Sequence, residues 1–166
     1  MNIIIAGCGK VGVTLAEQLR AENHEITMVD IDAERLEHTM SQLDIQVISG
    51  NTISNRTLKE AAIENADMFI ADTHQDEINL LSCLVARKTA GCPTIARVRN
   101  PEYNQEIGLF KDDIGLAMVI NPELATAMEM ARLIQIPSAI EIDSFAKNKV
   151  NLIVFRVADS GDGGAA

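Results

Sequence analysis

Three glycines near the start of the chain, Gly7, Gly9 and Gly12, have the spacing of a turn that holds a phosphate group. An apolar run at residues 2–6 precedes them, and a segment with helical character at residues 13–20 follows. In that context the first glycine permits a tight turn out of a strand, and the second lets a pyrophosphate approach the backbone. The third lets the helix pack closely on the strand, and the N–H groups at the helix start attract phosphate. The pattern therefore predicts a dinucleotide-binding turn.

A carboxylate, Asp30, is predicted to end the second strand. In a dinucleotide site such a residue accepts hydrogen bonds from the adenosine ribose and repels a 2′-phosphate, which predicts NAD(H) rather than NADP(H). Asp32 adds a second negative charge, and Arg35 is the one basic residue nearby. The alternative interpretation is that Asp30 and Asp32 are solvated residues that cap the next helix.

Ligands of parallel sheets lie at the carboxyl ends of the strands. The residues predicted at these ends are Asn51 and Thr52 after the third strand, Thr73 and His74 after the fourth, and Arg97 and Arg99 at the fifth. Side-chain amides and hydroxyls suit adenine or ribose, and a guanidinium suits a phosphate. Each residue is equally compatible with an ordinary loop, and the arginines with surface ion pairs. Cys8 is either a redox-sensitive thiol or a small residue that fits the turn.

Strands and helices alternate along most of the chain, which predicts an α/β fold with a six-stranded parallel sheet of the doubly wound Rossmann type. The predicted strands cover residues 2–6, 26–29, 45–48, 68–71, 94–98 and 117–120. The predicted helices cover residues 13–20, 33–42, 55–62, 76–90, a segment from Pro101, and 122–134. Two extra strands are predicted at 140–142 and 150–157, followed by a flexible end at 160–166. The apolar residues of helix 122–134 cover more than one stripe, which predicts burial on two sides, one of them against another subunit.

Composition excludes several classes of protein. A net charge of -10 argues against a nucleic-acid partner, which needs a basic surface. Three cysteines without a C-x-x-C pair argue against a disulfide framework or a zinc site and agree with a reducing cytoplasm. No apolar run approaches the roughly 20 residues that cross a bilayer. Few residues follow the sixth predicted strand, too few for a catalytic domain. This favours a protein that binds a nucleotide without turnover over an enzyme.

The sequence is compatible with two other functions. One alternative is the cofactor domain of an NAD-dependent oxidoreductase, truncated before its catalytic domain. The other alternative is a domain whose ligand is ATP or ADP, since the adenosine half of the site does not distinguish these nucleotides from NAD. The sequence beyond Val157 in the complete gene product would distinguish an enzyme from a protein that binds the nucleotide without turnover.

Several motifs together are similar to a known family. They are the glycine turn, Val29-Asp30-Ile31-Asp32, Gly50-Asn51-Thr52, Thr73-His74-Gln75-Asp76-Glu77-Ile78-Asn79, and Ala96-Arg97-Val98-Arg99-Asn100-Pro101-Glu102-Tyr103. On these motifs residues 1–135 resemble the RCK, or KTN (TrkA-N), domain of potassium-transport regulators. Residues 122–135 resemble that family's crossover helix. Residues 136–166 resemble a linker and the start of a second, C-terminal subdomain, so we expect a longer native protein.

The resemblance implies a cytoplasmic regulatory subunit that binds NAD(H) and gates a membrane potassium transporter or channel. It implies homodimers that assemble into a larger ring, attached to the membrane only through the integral-membrane partner. No catalytic residue and no metal are implied. The cofactor-binding residues that it implies are Gly7, Cys8, Gly9, Lys10, Val11, Gly12, Asp30, Asn51, Thr52, Thr73, His74 and Arg97.

Overall fold

The computed structural model describes residues 1–109, 111–135, 139–145 and 150–155. The chain divides into two compact units, Met1–Pro122 and Glu123–Ala166. The predicted end of the last strand at 156–157 and the predicted flexible end at 160–166 lie outside the described residues.

Six short strands of the first unit form one parallel sheet. They are β1 (Asn2–Ala6), β2 (Glu25–Asp30), β3 (Gln46–Ser49), β4 (Met68–Ala71), β5 (Thr94–Arg97) and β6 (Leu116–Ile120). Their order is β3-β2-β1-β4-β5-β6, and every neighbouring pair is parallel. The strand order reverses between β1 and β4, which is the point where such sheets bind ligands. The predicted six-stranded, doubly wound Rossmann fold is confirmed.

Helices connect these strands on both faces of the sheet. They are α1 (Lys10–Ala21), α2 (Ala33–Leu43), α3 (Asn55–Glu60), α4 (Asp76–Ala90), α5 (Pro101–Glu106) and α6 (Lys111–Ile114). Helix α4 has the predicted bounds because Gly91, at φ 72°, ends it in the left-handed conformation that glycine favours. Helix α1 begins earlier than predicted, because Gly9 is its N-cap and the glycine turn itself forms the first helical residues.

The sheet separates two apolar clusters. Alternate residues of β1 contribute to each, with Ile3 and Ile5 on one face and Ile4 and Ala6 on the other. Helices α1 and α2 cover the first face, and α4 covers the second. Because both faces are covered, the central strands are continuous apolar runs rather than alternating ones.

Helix α7 (Pro122–Gln135) begins at the last residue of the first unit and continues into the second. The second unit also contains two strands, β7 (Ala139–Phe145) and β8 (Val150–Phe155). The two strands pair in the antiparallel sense. They correspond to the two extra strands expected from the sequence. The assignment of residues 136–166 to a linker and a further subdomain stays a prediction.

Candidate nucleotide-binding site

A cleft of about 760 Å³ lies where strands β1 to β5 end. Its volume is in the range of small-molecule and cofactor sites. Eight of the predicted site residues line it: Gly7, Gly9, Asp30, Asn51, Thr52, Thr73, His74 and Arg97. The fold therefore brings together residues from the carboxyl ends of five strands at one edge of the sheet.

The three glycines of the turn have different surroundings. Gly7 has φ 117°, and a Cβ there would lie 2.4 Å from the carbonyl oxygen of Asp72. A Cβ on Gly12 would lie 2.4 Å from the carbonyl oxygen of Gly7. A Cβ on Gly9 would meet nothing within 4 Å. Gly7 and Gly12 are thus required by packing, whereas the space beside Gly9 is open to a ligand.

The start of α1 faces the same turn. Gly9 is the N-cap in an extended conformation, and its carbonyl accepts the first helical bond from Val13 N at 2.9 Å. Because glycine has no side chain, it cannot cap the N–H groups of the first helical turn. Those N–H groups and the helix dipole suit an anionic group, and the open space beside Gly9 fits a phosphate.

Asp30 joins the turn to the start of α2. Its Oδ2 accepts a hydrogen bond from Cys8 N at 2.6 Å, and its Oδ1 accepts one from Asp32 N at 3.0 Å. A carboxylate has about four acceptor sites, so this side chain retains capacity for ligand hydroxyls. Asp32, in contrast, is the N-cap of α2 and accepts a bond from Arg35 N at 3.1 Å. The helix-cap interpretation therefore describes Asp32, and Asp30 has a different role.

The loop after β3 is held against α4. Ser82 donates a hydrogen bond to Thr52 Oγ1 at 2.9 Å, and both side chains are buried. Asn51 is exposed, and its Oδ1 accepts a bond from Ile53 N at 3.1 Å. Thr52 therefore positions the loop, while Asn51 presents a polar side chain at the edge of the cleft.

A buried amide, Asn79 on α4, organises the loops after β4 and β5. Its Oδ1 accepts bonds from Thr73 N at 2.8 Å and Thr73 Oγ1 at 2.7 Å. Its Nδ2 donates to the carbonyl oxygens of Thr73 at 3.2 Å and Arg97 at 2.9 Å. The side chain is 0% exposed. The sequence motif contained Asn79, but its positioning role was not predicted, because it depends on contacts with two other loops.

Two arginines border the cleft and differ in exposure and in their ion-pair partners. Arg97 Nη1 lies 3.1 Å from Asp72 Oδ1, and their side chains are 15% and 1% exposed. Arg99 is 42% exposed, with its Nε 3.4 Å from Asp76 Oδ1, and it also donates to the carbonyl of His74. Arg99 is therefore the more accessible of the two guanidinium groups.

The two family-like motifs contact each other through acidic residues of α4. Asp76 accepts bonds from the backbone N–H groups of Arg99 at 2.9 Å and Asn100 at 2.8 Å. The Tyr103 hydroxyl donates to Glu77 Oε1 at 2.6 Å, which lowers the pKa of Glu77 and raises the pKa of Tyr103. These contacts fix the loop that carries Arg99.

The remaining predicted site residues have their side chains outside the cleft. The Cys8 thiol lies 3.1 Å from Thr39 Oγ1, and burial raises its pKa. This environment favours a small residue that fits the turn over a reactive thiol. Lys10, the first residue of α1, is exposed, and Val11 is half-buried. Gly12 is buried against Gly7. Any contact of Cys8, Val11 or Gly12 with a ligand in the cleft is thus through their backbone.

Four lining residues were not among the candidates from the sequence: Ile31, Asp72, Gln75 and Ile78. Asp32 and Arg99, which were weighed as candidates, also line the cleft, as does Arg35. Ile31 is a large apolar side chain that is 70% exposed at the cleft. Its position between Asp30, which ends β2, and Asp32, which caps α2, was the available signal. Among the described residues there is no cluster of side chains suited to a metal ion. In the same part of the chain, no helix is both long and apolar enough to cross a membrane.

The strand order and the glycine turn place the chain in the class of Rossmann-type domains. A family model described as the TrkA-N domain matches residues 3–122. The chain belongs to the TrkA-N domain family, and the resemblance predicted from its motifs is confirmed.

Two curated relatives match nearly the whole chain. The Trk system potassium uptake protein TrkA homolog of Archaeoglobus fulgidus is 42% identical over 159 residues, covering 96% of this chain and 36% of that protein. The Trk system potassium uptake protein TrkA of Vibrio alginolyticus is 41% identical over 164 residues, covering 97% of this chain and 36% of that protein. Within the family, the sequence motifs indicate TrkA, and both relatives carry that name. The chain spans little more than a third of their length.

Among solved structures, the GsuK channel bound to NAD superimposes with a TM-score of 0.69 at 22% identity. The match covers 88% of this chain and 25% of that one. At this level of identity the similarity concerns the fold.

Proposed function

We propose that this chain is the nucleotide-sensing part of a cytoplasmic regulatory subunit that binds NAD(H) and gates a membrane potassium transporter. The observation that carries the proposal is the cleft in which the glycine turn, Asp30 and two arginines meet. Membership of the TrkA-N family and the potassium-uptake names of its relatives support the transport role. The NAD-bound structural neighbour supports the ligand class.

The residues of the cleft fit the parts of a dinucleotide. The space beside Gly9 and the start of α1 would hold the pyrophosphate, and Asp30 would accept bonds from the adenosine ribose. Asn51 and Thr52 lie beside Asp30, and Thr73, His74, Arg97 and Arg99 line the far side of the cleft. In the proposed role the nucleotide is bound and released without reaction.

A ligand gates a partner only if it binds two conformations with different affinities. The proposed two conformations are arrangements of paired subunits that build a ring below the transporter. The link to the membrane is through the integral-membrane subunit, and no nucleic acid takes part. The cleft would transmit ligand binding through the loops that Asn79 and Asp76 connect.

Calorimetric titration of the chain with NADH, NADPH and ATP tests the ligand. We expect saturable binding of NADH and about tenfold weaker binding of NADPH, because a doubly charged phosphate about 6 Å from a carboxylate costs roughly 1.4 kcal/mol even in water. Stronger binding of NADPH than of NADH would contradict the role of Asp30. Binding of ATP with no binding of NADH would replace NAD with an adenine mononucleotide as the effector.

Helix α7 is the proposed pairing element. Leu124 and Met128 lie on one side of it and Met130 and Ile134 on another, and all are between 45% and 76% exposed. We expect the chain to sediment as a dimer at micromolar concentration and the Met128→Glu variant to shift toward monomer, because a buried, unpaired charge disfavours an apolar interface. Gln18→Glu, on an exposed position of α1, is the matched control and should not change the sedimentation coefficient. A strict monomer at high concentration for the unaltered chain would exclude this mode of pairing.

A further inference from the structure

An exposed ion pair borders the cleft next to Asp30. Arg35 Nε lies 3.0 Å from Asp32 Oδ2, and both residues line the cleft. The backbone N–H of Asp32 donates to Asp30 Oδ1 at 3.0 Å, so the ion pair is held at the position proposed for the adenosine ribose. Two carboxylates and one guanidinium therefore meet at this end of the cleft.

The backbone of Arg35 is fixed while its guanidinium is accessible. Its N–H donates to Asp32 Oδ1 at 3.1 Å, and its carbonyl accepts a bond from Thr39 Oγ1 at 2.9 Å. The side chains of Arg35 and Asp32 are 67% and 40% exposed. Exposed ion pairs contribute little to stability, so a variant that removes the Asp32 charge releases the guanidinium at small cost to the fold.

A guanidinium at this place has a defined chemistry. It matches the geometry of a phosphate with two parallel hydrogen bonds. In Rossmann-type sites an arginine near the ribose is the group that accommodates a 2′-phosphate. In this chain the corresponding arginine, Arg35, is paired with the Asp32 carboxylate, which adds its own negative charge.

We propose that the Asp32–Arg35 pair determines specificity at the ribose 2′ position. Asp32 keeps Arg35 from a 2′-phosphate, so exclusion of 2′-phosphorylated nucleotides depends on Asp32 as well as on Asp30. The Arg35 guanidinium is suited to bind a phosphate, and its ion pair with Asp32 prevents that contact. This inference rests on the proposed nucleotide site and names the residues that set its selectivity.

The Asp32→Asn variant tests the pair with little disturbance of the fold. Asparagine is as good an N-cap as aspartate, so α2 keeps its first hydrogen bond. We expect the Kd for NADPH to fall about tenfold, because one negative charge near a doubly charged phosphate is removed and Arg35 is released. The Kd for NADH should change less than about twofold, because the ribose hydroxyls carry no charge.

Two further variants make the result specific. Asp32→Asn combined with Arg35→Ala should lose most of the gain in NADPH affinity. Asp44→Asn removes the same charge from an exposed pair with Arg20, 3.8 Å apart, on residues that do not line the cleft. It should leave the ratio of the NADPH and NADH dissociation constants unchanged. Titrations at low and high salt should show that the gain of Asp32→Asn shrinks as salt screens the charges.

The outcomes separate this inference from the proposed function. A higher NADPH affinity that depends on Arg35 supports the pair as the specificity determinant. NADH binding with a ratio that Asp32→Asn does not change overturns the inference and leaves the nucleotide site intact. Absence of binding of both ligands by the unaltered chain overturns the nucleotide site and the inference together.

Discussion

Replacing Gly7 with alanine is expected to destabilise the chain by about 2–4 kcal/mol and to abolish nucleotide binding. The estimate combines roughly 1–3 kcal/mol for a non-glycine residue at positive φ with the displacement that a close backbone contact forces. Gly7 has φ 117°, and its new Cβ would lie 2.4 Å from the Asp72 carbonyl oxygen. Since Gly7 and Asp72 both line the cleft, that displacement alters the site directly. Urea denaturation and calorimetric titration with NADH measure the two effects.

Gly9→Ala is the matched comparison because it separates ligand contact from folding. Gly9 has an extended backbone, φ -81° and ψ 178°, which alanine also adopts. Its Cβ would meet no protein atom within 4 Å, so we expect a loss of no more than about 1 kcal/mol, the cost of alanine at an N-cap. NADH binding should weaken about tenfold or more, since the methyl group would lie where the pyrophosphate approaches the backbone. Unchanged NADH affinity in Gly9→Ala would show that the phosphates do not lie at this turn.

Asn79→Ala is expected to cost about 3 kcal/mol of unfolding free energy, because each buried polar group left without its partner costs about 1–3 kcal/mol. Asn79 makes four hydrogen bonds to the loops of Thr73 and Arg97 from a fully buried position. NADH affinity should fall as well, since both loops line the cleft.

The control for this prediction is Asn55→Ala. Asn55 is exposed at the first residue of α3, where its Oδ1 accepts one bond from Thr89 Oγ1 at 3.0 Å. Its replacement should change stability by no more than about 0.5 kcal/mol. Equal losses for the two variants would mean that Asn79 is not the group that holds the loops together.

Local signals were sufficient for most of the fold. Strand β4 and helix α4 have the predicted bounds because an apolar run, a glycine and a proline mark their ends in the sequence. Two single helical turns after α5, at Ile107–Leu109 and Lys111–Ile114, were not predicted. A helix as short as Lys111–Ile114 shows no apolar periodicity, and its residues adopt this conformation only through contacts with the rest of the unit.

The part of the site that lies at the ends of the strands could be predicted from the sequence. Asp30, Thr73 and Arg97 were located by the rule that ligands bind at the carboxyl edge of the sheet. The pairing of Arg97 with Asp72 was not, because it joins two strands that are neighbours only in the folded sheet. The same is true of Asn79, whose partners are selected by the packing of α4. Cys8 belonged to the predicted turn, but the direction of its side chain, toward Thr39, depends on the position of α2.

The contacts around the cleft also suggest how a bound nucleotide would affect the rest of the domain. Arg99 is held by Asp76 and by the His74 carbonyl, and Asp76 also holds the backbone of Asn100 at the start of α5. If a phosphate engages Arg99, the balance of these bonds changes at the point where α4, β5 and α5 meet. The proposed signal therefore begins with a charged side chain whose present partners are groups of the protein itself.

Binding of the nucleotide in the cleft is tested residue by residue in an amide-resolved NMR titration of the 166-residue chain with NADH. If the nucleotide binds in the cleft, the amides of Gly9, Ile31, Thr52, Thr73 and Arg99 should shift together with one dissociation constant. The amides of Asn2, Glu25 and Asp67, at the opposite end of the same sheet, should remain unchanged in the same titration. Absence of saturable shifts, or saturable shifts that leave the glycine turn and Ile31 unaffected, would show that NADH does not bind in the cleft.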